Sequence, residues 1–345
     1  MSLELAFERH DLPLERPFTI ARGTQTTAPV VVVTVTDDDG VEGIGAAGPS
    51  RHYGDTATTV EAVIPELAAT VERFDQPEPV VAIEDALRET VRGNPAARTA
   101  VSIAVHDLVA KRHGFALHRY WGLPSKAVDT SFTIGIDPPS EMAENAAAAV
   151  DEGYDILKVK LGTDDDRAVI TAIRDAVPDV TIRVDANEAW GPKEAVEQCR
   201  FLADHDVEFV EQPVPAEHPD ALAYVGERSP LPIAADESCV DRFDIPQIAD
   251  SVQIANLKLM KCGGLVEAMR MIHTARAHGL EVMLGCMGES NASIAAGAQL
   301  APLLDYADLD GSLLLADDPF TGPVRAGGSI ELDPSVPGTG AIRRA

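Results

Sequence analysis

The stretch ILKVKLG, residues 156–162, decides the fold, because it places Lys158 and Lys160 inside a run of Ile, Leu and Val. The whole protein has only seven lysines, so two of them in one apolar run need an explanation. Such a run is typical of a buried strand, where a lysine is costly unless it has a partner. Side chains alternate along a strand, so both lysines point the same way. An edge strand with two solvated lysines is the alternative.

Beyond residue 124, strand-like and helical segments alternate regularly. The positions that end the strand-like segments follow one another at intervals of 22–27 residues, at Gly135, Lys160, Asp185, Glu211, Asp236, Lys258, Gly285 and Asp310. One strand, one helix and two loops need about 25 residues. Eight such units predict a (β/α)8-type barrel, with its active site at the C-terminal ends of the strands, where these residues fall. In this α/β architecture residues 156–162 would form the second strand of the barrel.

The first 124 residues follow a different pattern. Two strand-like runs, Val30–Thr36 and Val41–Ala46, are joined by the turn signal DDDG at 37–40. Helical patterns follow at 55–73, 78–91 and 95–114. The sequence therefore predicts three regions. They are an N-terminal α+β capping domain (1–124), a catalytic barrel (125–318), and a Gly- and Pro-rich C-terminal segment that packs back on the capping domain (319–345).

Composition excludes several classes of function. The 345 residues carry 56 acidic and 28 basic side chains, a net charge of −28, which repels nucleic acid and anionic membranes. No apolar run approaches the roughly 18–20 residues of a membrane span, and the N-terminus has no secretory pattern. Four cysteines without a CxxC spacing favour free thiols in the cytoplasm. The scattered acids suggest adaptation to high salt, or an ordinary acidic enzyme.

Polar residues from several predicted strands converge at one barrel mouth. Asp185, Glu211 and Asp236 end three consecutive strands, and three such carboxylates repel one another unless a cation joins them. Oxygen ligands without His or Cys favour Mg²⁺. Lys160 and Lys258 would flank the cation from strands two and six. This arrangement suits removal of a proton next to a carboxylate, with the cation stabilising the resulting enediolate.

Five short motifs at barrel spacing resemble those of a known family. They are K-V-K (158–160), D-A-N (185–187), E-Q-P (211–213), A-D-E-S (235–238) and L-K (257–258). Together they resemble the enolase superfamily, whose sites use a Lys or His base with Mg²⁺, and within it the muconate lactonizing enzyme subgroup. The mandelate racemase subgroup is disfavoured, because VMLGCMGES (282–290) on predicted strand seven contains no His.

The resemblance implies a role for each residue that matches a motif. It implies one Mg²⁺ per subunit, a small-molecule substrate, and a homo-oligomer. The residues concerned are three metal ligands (Asp185, Glu211 and Asp236), two acid/base lysines (Lys160 and Lys258), a lysine that supports the substrate carboxylate (Lys158) and two residues behind the ligands (Asn187 and Glu237).

The eighth strand-like segment distinguishes reactions within this subgroup. Asp308 and Asp310 resemble the D-x-D pair with which dipeptide epimerases bind the substrate α-ammonium, and period 2 puts both on one face. We expect both carboxylates to face the mouth without a protein cation. Muconate and succinylbenzoate, which are dianions without an ammonium group, would be repelled. An N-succinylamino acid racemase, an o-succinylbenzoate synthase or a muconate-type cycloisomerase on the same scaffold is the alternative function. A role of either Asp in capping the following turn is the alternative.

Two N-terminal loops resemble those that cover the site in this subgroup. Arg22 matches an arginine on a mobile loop that meets the glutamate side chain in Ala-Glu epimerases, and a guanidinium binds a carboxylate well. A solvated surface arginine is the alternative. Tyr53, in the companion loop 48–56, is expected to shape the pocket. The resemblance therefore implies Mg²⁺-dependent epimerization of a dipeptide.

Overall fold

A three-stranded antiparallel sheet begins the chain in the computed structural model, which describes residues 2–344. Its strands are β1 (Leu3–Ile20), β2 (Gly23–Asp37) and β3 (Glu42–Ala47), paired in the order β1-β2-β3. The valines of β2 are buried on both faces of this sheet. Val31, Val33 and Val35 pack with the helices of the N-terminal region. Val30 and Val32 pack on the opposite face in a cluster that includes Phe320 of the C-terminal segment.

The helices of the N-terminal region cover one face of the sheet. They are α1 (Ala57–Val71), α2 (Val80–Thr90), α3 (Pro95–Arg112) and the short α4 (Leu117–Tyr120). Helix α3 approaches β3 so closely that a Cβ at Gly43 or Gly45 would lie 2.0 Å or 2.2 Å from a main-chain oxygen of α3. Glycine at both positions is therefore required for this packing.

Eight parallel strands form a nearly closed barrel in sequential order. They are β4 (Phe132–Ile134), β5 (Ile156–Lys160), β6 (Thr181–Asp185), β7 (Val207–Glu211), β8 (Ile233–Ala235), β9 (Ile254–Lys258), β10 (Glu281–Gly285) and β11 (Tyr306–Asp308). A parallel bridge between Thr130 and Ala307 joins the first and last strands. The predicted (β/α)8-type barrel with an N-terminal α+β region is confirmed.

Helices connect the strands on the outside of the barrel. They are α5 (Pro139–Asp151), α6 (Asp166–Ala176), α7 (Pro192–Ala203), α8 (Pro219–Gly226), α9 (Ile245–Ile248), α10 (Leu259–Cys262), α11 (Leu265–Ala277) and α12 (Asn291–Ala298). Helix α10 begins at the residue directly after β9, so its first turn lies beside the strand ends. None of the helices within residues 2–344 is long and apolar enough to cross a membrane.

The barrel interior changes from apolar to polar along its axis. Phe209, Ala234, Ile254 and Met283 form a buried cluster. The next inward-facing position on β7 is Glu211, and on β9 it is Asn256 followed by Lys258, because inward residues recur with period 2. The polar layers therefore lie toward the C-terminal ends of the strands.

The C-terminal segment contains the short antiparallel strands β12 (Phe320–Thr321) and β13 (Ile342–Arg343). The main-chain N–H of Thr339 donates to Asp107 of α3 over 2.7 Å, so this segment contacts the N-terminal region. The exact boundaries at residues 124 and 318 stay predictions. All four cysteines are free thiols.

Candidate active site

The strand ends bring the predicted residues to one end of the barrel. Lys160, Asp185, Glu211 and Lys258 are the last residues of β5, β6, β7 and β9, and Asp236 follows β8 directly. Lys160 is in register with Asp185, and Asp185 with Glu211. Strand β5 pairs with a neighbour on both sides, so residues 156–160 are not an edge strand. Ladder register thus places lysines and carboxylates side by side.

Asp185, Glu211 and Asp236 form a buried carboxylate cluster. Each is at most 1% exposed, and one carboxylate oxygen from each residue lies within 4.8 Å of one from each of the other two. Burial and the charge of Asp185 raise the pKa of Glu211 to about 8. Burial opposes ionisation of Asp185 as well, but the ammonium groups of Lys160 and Lys158 outweigh it and lower its pKa. A compact, buried set of carboxylate oxygens fits a hard divalent cation such as Mg²⁺.

Lys160 and Lys258 reach this cluster from opposite walls of the barrel. The Nζ atom of Lys160 donates to Asp185 Oδ2 over 2.6 Å, and that of Lys258 donates to Asp236 Oδ2 over 2.7 Å. Burial opposes the charge of Lys258, but the negative field of Asp236 outweighs it and raises its pKa. Three strands, β6, β7 and β8, lie between β5 and β9 in the eight-stranded sheet, which puts the two amines on facing sides.

Lys158 lies deeper than Lys160, on the same face of β5, and is 1% exposed. Its Nζ atom lies 2.7 Å from Asp308 Oδ2, 2.9 Å from Glu211 Oε2 and 3.3 Å from Asp185 Oδ2. Burial alone would lower the pKa of Lys158, but these three carboxylates, Asp308 foremost, raise it well above its ordinary value. The lysine in the apolar run is thus explained by three buried acids around its ammonium group.

The expectation that Asp308 and Asp310 are both free of protein cations is wrong for Asp308. Its carboxylate accepts from Lys158 and, over 2.6 Å, from Ser131 Oγ, because barrel closure puts β11 beside the first strand. Asp310 accepts from the main-chain N–H of Thr133 over 2.7 Å. Burial and the neighbouring charge of Asp308 raise the pKa of Asp310 to about 6. The two acids therefore differ in charge environment, although both lie at the mouth.

The N-terminal region contributes Arg22 to the mouth. The predicted loop around Arg22 is a paired hairpin, in which Ile20 lies opposite Gly23. The guanidinium lies 2.8 Å from Glu237 Oε1 and 3.3 Å from Glu188 Oε2, so Arg22 is not simply solvated. Tyr53 is on a short 3-10 turn, and its buried hydroxyl has no hydrogen-bond partner among residues 2–344.

Several residues of this site were missing from the sequence interpretation, three of them with charged or amide side chains beside the predicted residues. Glu188 pairs with Arg22, the side chain of Asn256 donates to Glu211 Oε1 over 2.8 Å, and Lys261 donates to Asp236 Oδ1 over 2.5 Å. Asn256 is two positions before Lys258, so period 2 could have placed it on the same inward face. Lys261 is one of only seven lysines, and that scarcity was a usable signal.

Two family models match the chain. The model described as "Mandelate racemase / muconate lactonizing enzyme, N-terminal domain" matches residues 4–122, and "Enolase C-terminal domain-like" matches residues 141–342. The chain therefore belongs to the mandelate racemase/muconate lactonizing enzyme family of the enolase superfamily. The resemblance carried by the five strand-end motifs is confirmed.

Similar proteins include both epimerases and a racemase. The L-Ala-D/L-Glu epimerase of Bacteroides thetaiotaomicron is 37% identical over 346 residues, which cover 99% of this chain and 88% of that protein. A dipeptide epimerase from Enterococcus faecalis, solved with Mg and L-Leu-L-Tyr, matches with a TM-score of 0.94 and 34% identity over 99% of both chains. The N-succinyl Arg/Lys racemase of Bacillus cereus matches with a TM-score of 0.94 and 28% identity over 100% of this chain and 96% of that one.

Proposed function

We propose that this protein is a Mg²⁺-dependent dipeptide epimerase that removes and returns the proton next to the substrate carboxylate. The observation that carries the proposal is the pair of amines, Lys160 and Lys258, on facing walls of the barrel with the carboxylate cluster between them. The named dipeptide epimerases among the similar proteins support it. The cation, held by Asp185, Glu211 and Asp236 with one site per subunit, would stabilise the negative charge that develops on the substrate carboxylate.

The two lysines act in opposite protonation states. One, as the neutral amine, takes the α-proton from one face of the substrate, and the other, as the ammonium, donates a proton to the opposite face. Each must first leave the carboxylate that it now contacts, Asp185 for Lys160 and Asp236 for Lys258. Lys158 stays beside Asp308 and Glu211, where its charge supports the carboxylate end of the substrate. Inversion at the α-carbon follows from the two opposed proton positions.

The end of β11 favours a free amino terminus over an acyl group. Asp308 already has Lys158 as its counter-ion, so we assign the main contact with the substrate ammonium to Asp310. An N-succinylamino acid would bring a second carboxylate to this acidic position, and muconate or succinylbenzoate would do the same. These substrates define the alternative function, a racemase, synthase or cycloisomerase on the same scaffold, which the racemase of Bacillus cereus keeps open.

The contacts of Arg22 favour a substrate whose C-terminal residue is neutral or cationic. Its guanidinium lies between Glu188 and Glu237, so a glutamate side chain would compete with two carboxylates. We therefore propose that L-Ala-L-Glu is turned over less efficiently than L-Ala-L-Leu or L-Ala-L-Lys. This revises the expected role of Arg22 as a receptor for a glutamate side chain. Tyr53 remains proposed as a wall of the same pocket, and Asn187 and Glu237 remain proposed as residues behind the metal ligands.

The proposed function is tested by turnover of a substrate panel before and after removal of metal. We expect epimerization of free dipeptides, measured by loss of optical purity, to disappear in EDTA and to return with Mg²⁺. N-acetyl dipeptides and N-succinylamino acids should be poor substrates. Equal activity in EDTA would refute the metal part of the proposal, and faster turnover of the N-acylated compounds would favour the racemase alternative.

A further inference from the structure

The three carboxylates of the cluster use their two oxygen atoms in different ways. One oxygen of each accepts a hydrogen bond from a donor outside the set of acid/base lysines: Asn187 N–H to Asp185 Oδ1 over 2.9 Å, Asn256 Nδ2 to Glu211 Oε1 over 2.8 Å, and Lys261 Nζ to Asp236 Oδ1 over 2.5 Å. The other oxygen of each lies against a lysine at the mouth: Asp185 Oδ2 and Lys160, Glu211 Oε2 and Lys158, Asp236 Oδ2 and Lys258.

Lys261 differs from the lysines at the mouth in that its ammonium group is fully occupied. It is 2% exposed, and its Nζ atom donates to Asp236 Oδ1, to the Asp236 main-chain oxygen over 2.6 Å and to the Asn256 main-chain oxygen over 2.9 Å. Three acceptors match the three N–H groups of an ammonium. Lys261 therefore holds Asp236 in place and has no free proton position with which to reach a substrate.

Asn256 holds Glu211 in the same manner. It is fully buried on β9, and its amide nitrogen donates to Glu211 while its main-chain oxygen accepts from Lys261. A Cβ at Gly285 would lie 3.0 Å from the side-chain oxygen of Asn256, so glycine on the neighbouring strand leaves room for this side chain. Lys261, Asn256 and Glu211 thus form one connected hydrogen-bonded layer beneath the mouth.

We propose that Asn256 and Lys261 are positioning residues that restrict Glu211 and Asp236 to one ligand oxygen each, and so set the preference of the site for Mg²⁺ over Ca²⁺. Mg²⁺ takes six ligands in a near-ideal octahedron, whereas Ca²⁺ takes six to eight and readily accepts both oxygens of a carboxylate. With Oε1 of Glu211 and Oδ1 of Asp236 held by protein donors, the larger ion loses these extra ligands. This inference rests on the metal site of the proposed function and adds residues that determine the choice of ion.

The test is the ratio of Ca²⁺ to Mg²⁺ dissociation constants, measured by isothermal titration calorimetry without substrate. Lys261→Met frees Asp236 Oδ1 and removes a positive charge, and Asn256→Ala frees Glu211 Oε1 without any change of charge. Both variants should shift the ratio toward Ca²⁺ by about tenfold or more, the size typical of residues that orient metal ligands. Lys193→Met, which removes a charge from an exposed position on α7, is the matched control and should leave the ratio unchanged.

Lys261→Met changes the charge of the site and Asn256→Ala does not, so the pair separates an effect of charge from an effect of the held oxygen. A shift in Lys261→Met alone would mean that charge, and not the held oxygen, sets the ion preference, and would overturn the inference. Equal changes in both affinities for both variants would overturn it as well. If Lys261→Met fails to fold, as judged by circular dichroism, Asn256→Ala decides the question. If both variants show the expected shift in the Ca²⁺ to Mg²⁺ ratio but the wild-type protein turns over no dipeptide, the proposed function is refuted and this inference still stands.

Discussion

The carboxylate cluster at the strand ends and the Arg22 contacts at the mouth are both networks of ion pairs, yet they differ in burial and in origin. Asp185, Glu211 and Asp236 are at most 1% exposed and lie at or directly after the ends of barrel strands. The side chain of Arg22 is 32% exposed and belongs to a hairpin of the N-terminal region. Charges in a buried, rigid setting interact strongly, whereas solvent screens exposed pairs. We therefore expect the proposed proton chemistry to depend on the residues at the strand ends. Substrate selection should depend on the contacts of Arg22, which can change at a small cost in free energy.

The largest effect is expected at the lysines of the buried region. Lys258→Ala should lower kcat for epimerization by about 10²–10⁴-fold, because one of the two proton positions is lost. One epimer should still exchange its α-proton with D₂O through Lys160, as followed by proton NMR. Lys160→Ala should show exchange of the other epimer only. If both variants lose exchange for both epimers while their folded structure is intact, the two-base mechanism is wrong.

A smaller but substantial effect is expected at Asp310. Asp310→Asn keeps an oxygen that can accept from the N–H of Thr133, but it removes the charge that we assign to the substrate ammonium. A charge-assisted hydrogen bond contributes about 1.5–3 kcal/mol, so KM for dipeptides should rise roughly 10- to 100-fold. Asp317→Asn, at an exposed position just before the C-terminal segment, is the control. Should N-acetylation of the dipeptide harm this variant as much as the wild type, Asp310 does not bind the ammonium.

The pH dependence of the reaction should reveal the same carboxyl group. Its pKa is raised to about 6, so Asp310 is ionised above that pH and neutral below it. With saturating metal, kcat/KM for a dipeptide should therefore fall about tenfold per unit as the pH drops below about 6, because kcat/KM reports groups of the free enzyme. This decrease of kcat/KM at low pH, the acidic limb of the pH profile, should be absent in Asp310→Asn. Its persistence in that variant would assign the limb to another group.

The smallest effect is expected at the partly exposed contacts of Arg22 at the mouth. Glu188→Gln removes one of the two carboxylates beside Arg22, which leaves the guanidinium freer to meet a glutamate side chain. Exposed ion pairs contribute about 0.2–1 kcal/mol, so kcat/KM for L-Ala-L-Glu relative to L-Ala-L-Leu should rise by no more than about fivefold. Glu217→Gln is the control, because Glu217 is exposed and follows Ala216, whose main-chain N–H donates to Glu188. An unchanged preference would show that Arg22 takes no part in selection.

The sequence by itself determined the barrel and the residues at its mouth. A spacing of 22–27 residues between strand ends is a property of the local chain, and period 2 fixes which face each side chain occupies. Lys160, Asp185, Glu211 and Lys258 could therefore be placed at one end of a barrel without coordinates. The hairpin at Arg22 was interpreted as a loop, because the local sequence shows no strong apolar alternation. Its strands are defined instead by pairing with each other, as between Ile20 and Gly23.

Only the tertiary structure decided which charges are partners. Lys158 and Asp308 are 150 positions apart and meet because the barrel closes, and Arg22 reaches Glu237 because the N-terminal hairpin lies over the mouth. Asp236 is shared between Lys258 and Lys261, one at the mouth and one buried beneath it, although the two lysines lie only three positions apart in the chain. Alternation and spacing act along the chain, whereas ion pairing depends on distance and burial in three dimensions, and these exist only once the chain has folded.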